Sequence, residues 1–219
     1  MNASYSKQSE PGWLQLPHPL RYFLVGILAL AAGVYLVYVM PGFLEFIQQR
    51  PGIRLNDPIL LRLRPKEYSG LIFSVLYGSL LICIATLVPR PLSLLRFMLS
   101  ALLMYSLRMA SLYLVPLAAP AGLIPLKDSW VEAFAYGHHP ITKDLFFSGH
   151  TAILLLAWLH CRVPVVKWLL LAALLAIVYL LLAQHVHYSL DILGALLAGP
   201  ACYRLSAVCM RYLGWNLAS

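Results

Sequence analysis

Charged residues are scarce in this sequence. Of its 219 residues, 11% are charged and 61% are apolar, and the mean hydropathy is +0.79. Soluble domains carry about a quarter charged residues, so the composition excludes an ordinary soluble domain. The net charge of +8 does not indicate nucleic-acid binding, because the basic residues lie between apolar segments rather than in one cluster. They are typical of topology signals and of contacts with anionic headgroups, and we expect no nucleic-acid partner.

Cysteine is scarce as well. The four cysteines lie in or beside apolar segments, with no CxxC pair and no His–Cys cluster. This pattern argues against a disulfide framework and against a zinc site, and we expect neither a metal nor a cofactor. A signal peptide is not expected either, because the apolar run at 22–40 is too long and the chain returns repeatedly to the membrane.

Long apolar runs account for nearly the whole chain. Most have the length of a hydrocarbon core of about 30 Å, and helices satisfy every backbone group in such runs. The sequence therefore predicts an all-α polytopic membrane protein, a six-helix transmembrane bundle. The predicted spans are 21–40, 69–88, 93–117, 147–161, 167–184 and 188–210, the first ending at Met40-Pro41-Gly42. We expect 1–20 to be a polar N-terminal lead, frayed or interfacial, and 21–213 to be one catalytic domain.

The membrane orientation follows from the basic residues. An even number of spans places both termini on one side, together with Arg90, Arg96, Arg162 and Lys167, and the positive-inside rule makes that side cytoplasmic. The loops at 41–68 and 118–146 then face the periplasm or an organelle lumen. Five basic residues in the first of these loops leave the two sides nearly balanced. Compact length and the lack of sorting signals favour a bacterial inner membrane.

Two polar clusters flank the apolar stretch 151–186. Ser148-Gly149-His150-Thr151 precedes it and His187-Tyr188-Ser189-Leu190-Asp191 follows it. The stretch is long enough to cross a bilayer and return, so both clusters should emerge on one face. Two histidines and a carboxylate at a membrane surface suit metal-independent phosphoryl transfer, with one histidine as nucleophile and the other as acid and base.

His187 and Asp191 are predicted to pair on one face of a helix, because they are four residues apart. The carboxylate would fix the imidazole tautomer and leave the other nitrogen to attack phosphorus. A structural pair that caps the helix start is the alternative. Ser148 is a plausible N-cap, and Gly149 allows close approach of a phosphate to the helix N-terminus. His150 would be the acid and base.

Further candidates surround these clusters. Arg108, inside the third span, could hold a phosphate bidentately or pair structurally with Asp191 or Asp144. Asp144 could position an acceptor or brace its loop, and Tyr188 joins the substrate-binding candidates. The other histidines should not be catalytic: we expect a supporting role for His185, plain loop positions for His138 and His139, and interfacial positions for His18 and His160.

The two clusters resemble the catalytic motifs of a known family. Asp144 through Thr151, and Leu182-Ala183 through Asp191, are similar to those of sphingomyelin synthases. With the inositol phosphorylceramide synthases, these form one branch of the type 2 phosphatidic acid phosphatase superfamily. A third motif at the end of span three fits Arg108, Ser111, Tyr113, Leu117 and Pro120. The resemblance covers roughly residues 90–205. It implies six transmembrane helices, a luminal or external site, a covalent phospho-headgroup on His187, Asp191 as its orienting group and His150 as acid and then base.

The sequence also departs from family patterns. Classical phosphatidic acid phosphatases have a lysine–arginine–proline motif upstream and a serine–arginine pair before the nucleophilic histidine, where Leu180 and Leu181 stand here. This difference favours the synthase branch. The proline-rich first motif of the synthases matches only loosely, at Arg54-Leu55-Asn56-Asp57-Pro58.

The resulting expectation is a membrane lipid phosphotransferase. It would move a phospho-headgroup from a membrane phospholipid to a lipid hydroxyl such as that of ceramide, and a homo-oligomer is compatible with the sequence. One alternative is a lipid phosphate phosphatase or phospholipase C-like hydrolase that uses water as acceptor. Another is a non-enzymatic transporter whose His/Asp pair relays protons, although repeated halves and broken helices are not visible.

Overall fold

Helices make up the fold of the computed structural model, which describes residues 10, 12–127 and 141–215. Within these ranges the extended backbone pairs only at an isolated bridge between Ile53 and Leu117. The helices are α1 (Pro19–Gln49), α2 (Ser69–Leu87), α3 (Pro91–Leu114), α4 (Gly149–His160), α5 (Pro164–Ala183) and α6 (Ser189–Tyr212), with short 3-10 turns at Trp13–Gln15 and Leu60–Arg62. The predicted all-α helical bundle is confirmed, with six α-helices in the described residues.

Five of these helices, all except α4, are long and apolar enough to cross a membrane. They fit a multi-pass integral membrane protein. Helix α1 has 31 residues and is therefore about 46 Å long at 1.5 Å per residue. It packs mainly against α3, and most of its apolar side chains are exposed. These exposed apolar side chains are suited to contact with lipid.

Proline marks three of the helix starts. Pro19, Pro91 and Pro164 each occupy the first turn, where the missing N–H would have had no intrahelical partner. The predicted end of the first span at Met40-Pro41-Gly42 is wrong, because α1 continues through Pro41 to Gln49. An interior proline removes one helical hydrogen bond, but in an apolar environment the remaining backbone groups find partners only within the helix.

Helix α4 is short and central. Its 12 residues span about 18 Å, less than a hydrocarbon core of about 30 Å, so the predicted span at 147–161 contains a short buried helix. It contacts α2, α3, α5 and α6, and nine of its residues are buried. Because it is enclosed by other helices, it can be apolar on every side. The start of α4 is therefore surrounded by other helices of the bundle.

The connections at one end of the bundle are joined to each other. This end, called the loop face below, comprises residues 50–68, 115–127, 141–148 and the turn 184–188. The Ile53 N–H donates to Pro116 O at 3.0 Å, and Lys66 N–H donates to Ala183 O at 3.1 Å. The buried Gln184 amide accepts from Tyr68 N–H at 2.7 Å. It also donates to Ser69 Oγ at 2.9 Å and Ile124 O at 3.1 Å. These bonds make the loop face an ordered platform.

The N-terminal segment lies against the opposite end. Glu10 accepts hydrogen bonds from the backbone N–H and the hydroxyl of Ser93, both at 2.6 Å. The indole of Trp13 donates to Val88 O at 2.8 Å, and the indole of Trp215 donates to Pro17 O at 3.2 Å. The described part of the predicted polar lead is therefore docked on the bundle.

Candidate active site

His187 and Asp191 form a buried pair at the start of α6. His187 Nδ1 lies 3.1 Å from Asp191 Oδ2, and the two residues are 1% and 0% exposed. A carboxylate can only accept, so in the neutral form of the His187 ring Nδ1 carries the proton and Nε2 holds the lone pair. The pair has the tautomer that nucleophilic attack by Nε2 requires.

The pair is built differently from the expectation. His187 lies in the bend before α6, and Asp191 is the third residue of the helix, so the two do not stack along one helical face. Instead Asp191 reaches back across the helix start. Its Oδ2 also accepts from Tyr188 N–H at 3.0 Å, and its Oδ1 accepts from Phe146 N–H at 3.2 Å. Asp191 therefore caps α6, as in the structural alternative, and also contacts His187 Nδ1; its catalytic role stays a prediction.

His150 faces His187 from the first turn of α4. The ring centroids are 6.2 Å apart at an interplanar angle of 61°, and the ring of Phe73 packs against His150 at 5.8 Å. Ser148 is the N-cap of α4, as predicted: its Oγ accepts from Thr151 N–H at 3.3 Å and from the Thr151 hydroxyl at 3.1 Å. The two clusters that flank the apolar stretch thus meet at the loop face.

Arg108 lies beside the start of α4. Its Nε donates to Phe147 O at 3.0 Å, and its Nη2 lies 2.8 Å from Asp144 Oδ1. A Cβ added to Gly149 would lie 2.9 Å from Arg108 Nε, so glycine is needed for this close approach. The structural reading of Arg108 as a partner of Asp144 is therefore observed, and its phosphate-binding role stays a prediction.

Asp144 carries a perturbed carboxyl group. Burial raises its pKa, but the adjacent Arg108 guanidinium outweighs burial, and with weaker help from His187 and His150 it holds the pKa below its ordinary value. Because the Asp144 carboxylate interacts electrostatically with both His187 and His150, it lies close to the site. Its predicted role with an acceptor stays a prediction.

The segment between Asp144 and α4 is held from two sides. The Ser111 hydroxyl of α3 donates to Phe146 O at 2.7 Å, and Ser148 N–H donates to the backbone oxygen of Asp191 at 3.1 Å. A Cβ on Gly194 of α6 would lie 2.9 Å from Phe147 Cβ, which shows how closely α6 approaches. This segment links α3, α4 and α6.

Tyr188 is 1% exposed. Its hydroxyl donates to Ala118 O at 2.9 Å and accepts from Leu55 N–H at 3.3 Å. These contacts join two loops to the start of α6, and the predicted substrate contact stays a prediction.

The other histidines lie in different surroundings. His185 Nδ1 lies 2.8 Å from Ala121 O and its Nε2 lies 3.1 Å from Leu63 O, so it joins two connections of the loop face. His160 is 5% exposed and packs between Phe97 and Tyr203, which corrects its predicted interfacial position. His18 is exposed before α1, while His138 and His139 lie outside the described residues.

Asp57 was not among the predicted site residues, although the sequence contains a weak signal for it. It lies in the loosely matching first motif, yet it is 7% exposed and accepts from Ser189 N–H at 2.6 Å. Burial raises its pKa, but hydrogen bonds from Ser189, Ile59 and Leu60 outweigh burial and hold the pKa below its ordinary value. Gln184 was also not predicted. The sequence signal for it is a polar amide side chain directly after the apolar run of α5.

Metal-binding side chains do not gather in the described residues: no three His, Cys, Asp or Glu side chains there come close enough to hold an ion. The site consists of a His–Asp pair, a second histidine and an Arg–Asp ion pair on an all-helical membrane bundle. These features define the class, a membrane protein with a histidine-based site at one end.

Comparison with known proteins adds a family. Residues 143–208 match the family model described as PAP2 superfamily C-terminal, and this range includes both histidines and Asp191. The match covers 66 of the 219 residues and supports the PAP2 superfamily, without distinguishing a branch. Members of that superfamily are phosphatases or phosphotransferases that act on phosphate esters. No curated protein matches the chain.

Proposed function

We propose that the protein is a metal-independent lipid phosphotransferase. It would transfer a phospho-headgroup from a membrane phospholipid to a lipid hydroxyl, ceramide-like in our reading, through a phosphohistidine intermediate. The observation that carries the proposal is the arrangement of His187, with Nδ1 held by Asp191 and the ring of His150 opposite at 6.2 Å. A nucleophile with an orienting carboxylate and a facing acid and base is a recurrent arrangement for group transfer.

The first step is attack by His187. Nε2 forms a bond to phosphorus, the bond from phosphorus to the diacylglycerol oxygen breaks, and protonated His150 gives its proton to that oxygen. Asp191 stabilises the charge that develops on the His187 ring. Diacylglycerol leaves, and the phospho-headgroup stays on His187.

The second step reverses these roles. Neutral His150 removes the proton of the acceptor hydroxyl, whose oxygen attacks phosphorus while the bond to His187 Nε2 breaks. His150 returns to its protonated form and His187 to its starting form, so protons and charges balance over the cycle.

Positive charge near the start of α4 supports both steps. Arg108 lies against Gly149, and the N-terminal end of a helix favours anions. We assign Arg108, Ser148 and Gly149 to the surroundings of the phosphate, with Asp144 holding the guanidinium in place. Tyr188 is assigned to the support of the loops around the substrate.

The donor would enter sideways from the bilayer, because the site lies at one end of a bundle whose helices fit a membrane. In our proposal the loop face is periplasmic or luminal, with a bacterial inner membrane favoured.

A hydrolase is the second candidate, because the same two histidines can use water in place of a lipid hydroxyl. The match to the PAP2 superfamily favours this candidate as much as the first. A product that depends on the lipid acceptor distinguishes them.

The test uses purified protein in detergent with fluorescent ceramide and a panel of phospholipids. We expect wild type to form a new phosphosphingolipid or to release diacylglycerol, resolved by thin-layer chromatography. His187→Ala and His150→Ala should each reduce turnover by a factor on the order of a hundred or more, because each removes a reacting group. His18→Asn is the matched control, since His18 is exposed before α1 with a left-handed backbone that asparagine tolerates.

Full turnover in both site variants, on every phospholipid of the panel, would rule out the proposal. Diacylglycerol release without an acceptor product would identify the hydrolase. Labelling of His187 by a phosphoryl donor would exclude the transporter alternative.

A further inference from the structure

Asp57 connects the first loop of the loop face to the start of α6. It is 7% exposed in the connection between α1 and α2. Its Oδ2 accepts from Ser189 N–H at 2.6 Å, and its Oδ1 accepts from Ile59 N–H at 2.9 Å and more weakly from Leu60 N–H at 3.4 Å. One carboxylate thus holds its own loop and a distant helix together.

The helix that Asp57 contacts carries the proposed nucleophile. Ser189 is the first residue of α6 and follows His187 by two residues. First-turn N–H groups of a helix have no intrahelical partner and attract carboxylates. The start of α6 is therefore held by two carboxylates, Asp191 from within the helix and Asp57 from the first loop.

A second contact from the same loop acts on the neighbouring residue. Leu55 N–H donates to the hydroxyl of Tyr188, which in turn donates to Ala118 O. Residues 188 and 189 are thus both connected to the loop at 55–57, one through its side chain and one through its backbone. The backbone beside His187 has little freedom to move relative to the loop face.

We propose that Asp57 is a positioning residue that fixes His187 for attack. This inference rests on the proposed function, because it concerns the geometry of that reaction. Nucleophile and phosphorus must approach to about 3–3.5 Å, and a displacement of 1 Å can cost a factor on the order of a hundred in rate. Asp57 does not touch the reacting atoms; it acts through the backbone at Ser189.

The isosteric variant Asp57→Asn tests this role. The carboxylate accepts with both oxygens, whereas an amide has one acceptor oxygen and an NH2 group that only donates. The variant therefore keeps the shape of the side chain but must lose its bond to Ser189 or its bonds to Ile59 and Leu60. Glu67→Gln is the matched control, because Glu67 Oε1 accepts from Ser69 N–H at 3.0 Å at the start of α2, which carries no reacting group.

Single-turnover kinetics separate positioning from folding. The enzyme is held in increasing excess over fluorescent phosphatidic acid, or over the panel phospholipid that wild type consumes fastest. The rate constant at saturating enzyme does not depend on the folded fraction, whereas the enzyme concentration at half-maximal rate does. We expect Asp57→Asn to lower the saturating rate constant on the order of tenfold or more, and Glu67→Gln to leave it within twofold of wild type.

If Asp57→Asn has the same saturating rate constant as wild type, the inference is overturned. This holds even if the enzyme concentration at half-maximal rate changes. If His187→Ala consumes the donor as fast as wild type, the proposed function fails and the inference fails with it. Loss in His187→Ala together with a normal rate constant in Asp57→Asn leaves the proposed function intact and refutes the positioning role alone.

Discussion

At the scale of single residues, the site is organised by close approaches that leave no room for larger side chains. Gly149 lies against the Arg108 guanidinium, and Gly194 lies against Phe147. In both cases a Cβ would enter the space of a neighbour that is itself held by hydrogen bonds. Interiors of proteins are packed closely enough that one added methyl group is felt.

Gly149→Ala is therefore expected to displace Arg108. The added Cβ would lie 2.9 Å from Nε, and the guanidinium cannot move freely because it is bonded to Phe147 O and Asp144. We expect a loss of about 1–3 kcal/mol in the free energy of unfolding and reduced turnover, measured by thermal unfolding in detergent and by the lipid assay.

Gly33→Ala in α1 is the control for this variant. No atom lies within 4 Å of its added Cβ, and alanine favours a helix over glycine by roughly 0.5–1 kcal/mol. An unfolding temperature no lower than that of wild type is expected for Gly33→Ala. Normal stability and turnover in Gly149→Ala would contradict the proposed contact with Arg108.

At the scale of elements, the segment 141–148 is the part that joins α3, α4 and α6. One of its links to α3 is the ion pair between Arg108 and Asp144, at 2.8 Å, beside the bonds from Arg108 to Phe147 O and from Ser111 to Phe146 O. The Asp144 side chain is 30% exposed, so removing it should cost less than the roughly 3–5 kcal/mol of a fully buried pair. The stability of this link should therefore depend on the charge of Asp144.

Acid should weaken that link. Because the pKa of Asp144 is lowered in the folded state, its contribution is complete above the unfolded pKa of about 3.9 and is lost as the pH falls through the folded pKa. We expect the unfolding temperature of wild type to be steady above about pH 5 and to fall in stronger acid.

Asp144→Asn should be less stable than wild type at neutral pH and should show a shallower decline in acid. Glu45→Gln is the control, because Glu45 is exposed in α1, and this variant should retain the profile of wild type. Parallel profiles for Asp144→Asn and wild type would show that the ion pair contributes no acid dependence.

At the scale of the whole molecule, the connections of the loop face are held together by a small number of buried side chains, each of which bonds to several connections. Gln184 is 0% exposed and bonds to Tyr68, Ser69 and Ile124. It closes the turn between α5 and α6, which leads directly to His187. Its amide therefore links the platform to the site.

Gln184→Ala should loosen the platform. It removes the partners of several buried polar groups, each of which costs about 1–3 kcal/mol when left unsatisfied, so we expect a clear fall in the unfolding temperature and in turnover. Gln49→Ala, at the exposed end of α1, should behave as wild type. An unchanged unfolding temperature for Gln184→Ala would contradict this role.

The sequence by itself determined the helical membrane architecture and the two histidine clusters. Apolar runs leave the backbone no partner except its own helix, and each of the six predicted runs contains or overlaps one α-helix of the described residues. The clusters were visible because polar residues at the ends of such runs stand out against an apolar background. The stretch between them was long enough to return to the same face, and the rings of His150 and His187 do meet.

Only the tertiary structure decided how these residues are held. The passage of α1 through Pro41, the position of the short α4 at the bundle centre and the pairing of His187 across a helix start all depend on neighbours distant in sequence. The partner of Ser189 N–H is 132 residues away. No local pattern encodes such a contact, because the free energy of a buried hydrogen bond depends on which groups the fold brings together.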